Sequence, residues 1–139
     1  GETTIRVMAL MDSGSERCFA SPALARSLRL DLRDVPSAVI GLGGGARRVQ
    51  FVTVTLQLFE SMLNNEDSPI SEWQADVAFL SNWDPPWAVL LGRDGFFDQF
   101  TVTMHGGVPA VMLEPWETFD ERFGLQIEEA DNSQPRFDV

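Results

Sequence analysis

The stretch Ala9-Leu10-Met11-Asp12-Ser13-Gly14-Ser15 runs an apolar segment directly into a carboxylate, a hydroxyl and a glycine. An Asp-Ser-Gly tripeptide standing alone reads as a turn, because Asp and Ser bond nearby backbone and Gly accepts left-handed angles. Here it closes an apolar strand, read from Ile5 to Met11, instead of interrupting a polar segment. An acid at the end of such a strand is costly to bury unless neighbours donate hydrogen bonds or it keeps its proton. Asp12 is therefore the first candidate for chemistry.

Two further stretches follow in order. Ile40-Gly41-Leu42-Gly43-Gly44-Gly45-Ala46 is a glycine-rich tip between two extended segments, Val35 to Ile40 and the alternating run Val49 to Phe59. That arrangement predicts a β-hairpin. In Val89-Leu90-Leu91-Gly92-Arg93-Asp94 the continuous apolar run from Trp87 to Leu91, the pattern of a strand buried on both faces, is closed by Gly92-Arg93-Asp94. Around these, Ser21 caps a short helix opened by Pro22, with Leu24, Ala25 and Leu28 inward. Trp73 to Leu80 reads as a strand and Ser61 to Ser71 as a polar loop. Asp94 is the expected cap of a short helix through Phe96, Phe97 and Phe100. Thr101–Met104 and Val108–Leu113 are expected to pair across His105-Gly106-Gly107. Beyond Pro115, Trp116, Phe119 and Phe123 fall at helical spacing, and from Glu128 the chain is polar and acidic. The class is mainly β with short helices.

Composition narrows the function. The 139 residues are 44% hydrophobic and 22% charged, and 10 Lys+Arg stand against 21 Asp+Glu, for a net charge of −11. Non-specific nucleic-acid binding requires clustered cations, so no nucleic-acid partner is expected. Attraction to an anionic membrane is disfavoured for the same reason, and no apolar run reaches the roughly 18–20 residues of a spanning helix. The single cysteine, Cys18, excludes an intrachain disulfide framework and a Cys-cluster zinc site, and a Ser-His-Asp or Cys-His enzyme would have to rest on the single histidine, His105. No metal is expected. The opening residues lack the basic and apolar regions of a signal peptide, which with one unpaired thiol gives the expectation of a reducing, cytoplasmic location.

Taken together, the three stretches resemble the retroviral-type aspartic proteases, or retropepsins. The family pattern is apolar-apolar-Asp-Thr/Ser-Gly-Ala/Ser, then a glycine-rich flap, then apolar-apolar-Gly-Arg-Asp/Asn. Leu10 to Ser15, Ile40 to Gly44 and Leu90 to Asp94 match it in order. Val7 to Arg17 is similar to proteases of Pao-type retrotransposons, and Gly92-Arg93-Asp94-Gly95-Phe96-Phe97 to stand-alone retropepsin-like proteins of bacteria. The resemblance covers residues 5 to 113. It implies a protease domain over 1–113, a retropepsin-like closed barrel or acid-protease half-fold, followed by a helical segment and acidic tail over 114–139.

The implied activity is that of an aspartic endopeptidase acting on an extended polypeptide, with no cofactor. Two adjacent carboxylates share one proton, so one activates water while the other polarises the carbonyl. This chain has one such motif, so the second carboxylate is expected from another copy in an isologous homodimer. By position in the motifs, Asp12 is catalytic, Ser13 bonds across the axis and Gly14 admits the substrate. Ile40, Gly41, Leu42, Gly43, Gly44 and Gly45 form the flap. Ser15 and Leu90 line a substrate pocket, and Glu16 pairs with Arg93.

Other readings carry less. A dinucleotide loop at Gly41-x-Gly43-x-Gly45 requires a helix after the glycines, whereas Val49 onward alternates as a strand. Cys18 reads as a small buried hydrophobe and His105 as a turn residue. Trp83 and Trp87 read equally as an exposed binding edge or as partly buried beside the pocket. Glu128, Glu129 and Asp131 read as a solvated tail, with a pseudo-substrate as the sharper version. The alternative functions are a catalytically silent retropepsin-like domain for dimerisation or peptide binding, and a small acidic β-barrel binding module.

Overall fold

The computed structural model describes residues 3–59 and 68–123. The chain forms two compact units, Gly1–Gln99 and Phe100–Val139, and is mainly strand with short helices. In the first unit the elements are β1 (Ala9–Met11), β2 (Cys18–Ala20), α1 (Pro22–Ser27), β3 (Ser37–Leu42), β4 (Gly45–Leu58), β5 (Ser71–Leu80) and β6 (Val89–Leu91). The six strands make one sheet, curled as a half-barrel, in the order β1-β6-β2-β5-β4-β3.

Long β4 organises the sheet. Its residues 49–58 pair antiparallel with β5, from Val49↔Leu80 to Leu58↔Ser71, while residues 45–50 pair with β3. The two registers overlap at Val49 and Gln50 alone, so the hairpin from Val39 to Arg48 extends past the end of β5 as a two-stranded arm. Its turn is Gly43-Gly44, with φ of +59° and +78°. Both central residues left-handed is the two-residue turn whose twist matches the flanking strands, and glycine adopts it without a Cβ clash. At the other end of β3, the Gln50 amide donates to the carbonyls of Leu32 (2.6 Å) and Val35 (2.8 Å), fixing the connection from α1.

The core lies where β5 runs between β2 and β4. Residues 77–80 of β5 are buried on both faces. Phe19, Val49, Ala78 and Leu80 form a buried cluster against which Ile40, Leu42, Phe51, Trp83 and Leu90 pack. Trp83 meets Phe19 edge-on with ring centroids 6.5 Å apart. A second apolar site centres on fully buried Phe96, flanked by Trp73 and Phe97. The Trp73 indole donates to the Gly95 carbonyl at 2.6 Å, satisfying the polar end of that ring. On α1, Ser21 caps the helix by accepting from the Leu24 amide at 3.2 Å, and Ala25 is buried with Leu24 and Leu28 half-buried, as the pattern predicts.

Several expectations need correcting. β1 spans three residues instead of the seven from Ile5, because its partner β6 offers three; Met8 is exposed. β6 likewise starts at Val89 and not at Trp87, because its ladders with β1 and β2 both begin there, at Ala9↔Val89 and Ala20↔Val89. No helix follows Asp94. Gly95 has φ +99°, incompatible with a right-handed helix, and the segment is a run of turns closed by Phe97 N–H to Gly92 O and Asp98 N–H to Arg93 O.

In the second unit, β7 (Phe100–His105) and β8 (Ala110–Pro115) pair antiparallel from Phe100↔Pro115 to His105↔Ala110, followed by α2 (Trp116–Phe123). Val108 belongs to the connecting turn, not the strand, because its amide donates to His105 Nδ1 at 3.1 Å. Trp116 and Phe119 stack one turn apart on α2, and Arg122 pairs with Glu114 of β8 at 2.7 Å. The acidic residues Glu128, Glu129 and Asp131, and most of the polar loop after Phe59, lie outside the described residues. Among the described residues no helix is long and apolar enough to cross a membrane.

A bulky β-branched residue at φ +78° is strained by about 1–2 kcal/mol. Gly44→Val is accordingly expected to lower the urea midpoint, whereas Gly43→Asn, a residue tolerant of this turn, is expected to leave it nearly unchanged. Equal midpoints for both variants would contradict the two-residue turn.

Candidate active site

Asp12 stands immediately after β1, and the chain turns through residues 12–17 to enter β2. β6 lies between those two strands, parallel to β1 (Leu10↔Leu90, Met11↔Leu91) and antiparallel to β2 (Phe19↔Leu90). The loop carrying the acid therefore arches from one neighbour of β6 to the other, over the end of β6 itself.

Backbone hydrogen bonds lock that arch. The Asp12 amide donates to Leu91 O at 2.9 Å, the Arg93 amide to Ser15 O at 2.9 Å and the Asp94 amide to Glu16 O at 2.8 Å. Gly92 lies buried beneath, and a Cβ there would collide with the Arg17 carbonyl group and stand 2.9 Å from Ser15 O. No other residue fits without moving the loop. Within the arch, the Gly14 amide donates to Asp12 Oδ1 at 2.9 Å and the Ser15 amide to Asp12 O at 3.1 Å. The carboxylate is half-buried and oriented through one oxygen, while Ser13 and Gly14 are exposed beside it.

Cys18 completes the support from below. Its fully buried Sγ accepts from the Gly92 amide at 3.3 Å and approaches Asp94 O at 3.3 Å as a donor. Burial pushes this thiol above its ordinary value of 9.0, the Gly92 amide opposing and the Asp98 and Asp94 charges adding to the rise. Sequence reasoning assigns Cys18 to the core correctly but misses its hydrogen bonds. The available signal is that a sulfur is the single side-chain polar atom in the otherwise apolar Cys18-Phe19-Ala20.

The remaining expected residues divide. Leu90 is half-buried against the same cluster that receives Ile40 and Leu42, so the pocket candidate and the hairpin share one apolar surface. Ser15 turns its hydroxyl back to Arg17 O at 2.8 Å, closing its own loop. The expected Glu16–Arg93 ion pair does not form. Both side chains are exposed, and the strap lies one residue further along each segment, where Arg17 meets Asp94 at 3.3 Å beside the parallel bridge Arg17↔Asp94. With side chains about half exposed it contributes little by itself; the Arg17 guanidinium also lies 5.7 Å from the Phe51 ring centre. The backbone clasp carries the load that the sequence reading assigns to a salt bridge. Gly41 and Gly43–Gly45 occupy the hairpin tip, where an added Cβ on Gly41, Gly43 or Gly44 would meet nothing within 4 Å.

Among the described residues no group of three His, Cys, Asp or Glu side chains is placed to hold a metal ion. Comparison of the chain with protein-family models, curated proteins and solved structures finds no significant match.

Two outcomes follow from this geometry. Gly92→Ala is expected to cost about 3 kcal/mol by urea denaturation, against little change for Gly41→Ala; similar midpoints would refute the close approach. Because Cys18 is raised on folding, its neutral thiol stabilises the fold fully below pH 9.0, and that contribution is lost as pH rises through the folded value. Native protein at pH 8 should resist a thiol-alkylating reagent that modifies it rapidly in urea.

Proposed function

We propose that this chain is half of an aspartic endopeptidase of the retropepsin-like type, completed as a two-fold homodimer in which two Asp12 carboxylates meet. The observation that carries this reading is the insertion of β6 between the strands flanking the Asp12 loop. That insertion, with the Gly92 clasp, holds a partly exposed carboxylate on a rigid backbone, as acid–base chemistry requires.

Each half contributes one acid, and two carboxylates in contact hold one proton between them. The ionised member takes a proton from a water molecule, whose oxygen attacks the scissile carbonyl carbon. The protonated member donates to the carbonyl oxygen as it gains charge. The tetrahedral species then collapses as the C–N bond breaks and a proton passes to the leaving nitrogen. Ser13, exposed next to Asp12, serves to bond across the axis and keep the acids in register. The β3–β4 arm closes over an extended substrate, whose main chain adds to it as a strand, and Leu90 meets an apolar side chain beside the bond that is cut.

Purified protein is expected to cleave an unfolded polypeptide between about pH 4 and 7 with a bell-shaped profile, since one acid and one base are both required. Asp12→Asn is expected to reduce the rate about a thousandfold or more. Rate per chain is expected to fall on dilution as dimers separate, in step with the dimer fraction from sedimentation. Equal cleavage by wild type and Asp12→Asn, or a rate per chain indifferent to dissociation, would defeat the reading.

A further inference from the structure

The β3–β4 arm carries a cation that the fold itself does not employ. From Val35 to Phe59 the sequence holds no Asp or Glu, although the chain has 21, and its charged residues are Arg47 and Arg48. Register separates the two. Arg48 lies opposite Val39, and its Nη1 donates to Ser37 Oγ at 3.1 Å. Arg47 lies opposite Ile40, and directly opposed residues of an antiparallel pair share a face. Alternation places Leu42 and Val49 on that face too. It is the face by which Ile40 and Leu42 reach the cluster that Leu90 joins.

Arg47 thus extends the apolar inner face of the arm with a guanidinium, just past Val49, where pairing with β5 stops. Its side chain is exposed, and among the described residues the guanidinium makes no ion pair, hydrogen bond or ring contact. Arg17, Arg33 and Arg122, by contrast, each hold a carboxylate of this chain. Val39 to Ala46 border an open groove along the tip next to it.

We infer that Arg47 is a specificity-determining residue, selecting extended polypeptides that carry an acidic side chain near the scissile bond. The inference rests on the peptidase reading and adds the substrate class to it. A strand laid against the arm presents every second side chain to its inner face. A guanidinium there offers paired donors that match a carboxylate in geometry as well as charge. The sign of selection is set locally. A chain of net charge −11 repels acidic peptides at long range, but that field is screened within about 10 Å at ordinary salt. Inside that distance, the acid-free arm presents Arg47.

The test is a synthetic library of extended peptides in which each position carries Glu, Gln or Lys, with cleavage followed by mass spectrometry. The enzymes are wild type, Asp12→Asn, Arg47→Gln, Arg47→Glu and Arg26→Gln, the last removing an exposed charge from α1. Wild type is expected to cut peptides with Glu at one position near the cleaved bond about two- to fivefold faster than their Gln counterparts, as for an exposed ion pair. The ratio is expected to fall to about one in Arg47→Gln, to invert toward Lys in Arg47→Glu, to persist in Arg26→Gln and to shrink at high salt. Urea midpoints matching wild type separate a changed preference from a damaged fold, and Arg47→Gln serves if Arg47→Glu folds poorly. Asp12-dependent cleavage with an unchanged Glu preference in Arg47→Gln and in Arg47→Glu overturns the inference and leaves the peptidase reading standing. Absence of Asp12-dependent cleavage from every peptide overturns both.

Discussion

The approach of Gly92 to the carbonyls of Ser15 and Arg17 is the constraint on which the site depends. A missing Cβ lets the segment after β6 lie against the arch that carries Asp12, and the amides of Arg93 and Asp94 then bond across it. Removing apolar area from water favours the collapse of β5 and β6 onto β2 but is not directional. Hydrogen bonds and contact with a glycine are directional, and they convert a general hydrophobic collapse into one position for one carboxylate. Cys18, bonded to the same glycine amide, joins that clasp to the core.

The β3–β4 arm obeys the opposite logic. It leaves the sheet where β5 ends, its turn glycines have nothing packed around them, and its attachment is the inner face of Ile40 and Leu42 against the cluster. Few buried contacts and a single strand-to-strand ladder place such a segment at the low end of local stability, where parts that open and close are found. Rigid support beneath the acid and a lightly held arm sharing an apolar surface with Leu90 are complementary properties. Both arise from where glycine stands in the sequence: beneath the loop it permits contact, and at the tip it permits a turn.

Much of this is legible in the sequence. The hairpin shows because a glycine run sits between alternating strands, and α1 shows because Ser21-Pro22 marks its start locally. β2 is not legible there: Cys18-Phe19-Ala20 is too short to display a period, and it becomes a strand through partners distant in sequence, β5 and β6. The helix expected after Asp94 failed on one dihedral, that of Gly95, which sequence spacing does not reveal. The Glu16–Arg93 pairing failed for a related reason. Motif position locates two segments side by side, yet which side chains meet is decided by the bridge between Arg17 and Asp94. Residue type located the acid and its glycine; the hydrogen bonds that hold them depend on non-local register.

Register also bears on how the edge of the sheet beside Asp12 is protected. β1 is an edge strand, and edges invite pairing with other chains unless they are short or blunted. Here the ladder on β6 is three residues long, while Met8 and Leu10 remain exposed just before Asp12. An edge this short gives another chain little backbone to add to, so strand-by-strand aggregation is suppressed. The exposed apolar side chains and the bare Ser13-Gly14 turn still favour cover, and under the proposed dimer a second copy of the loop supplies it. A long edge would satisfy itself with any strand; a short one beside a rigid acid rewards a partner that matches it in shape and symmetry. The clasp at Gly92 makes that matching possible, because a loop already fixed from behind loses little freedom when its front is covered.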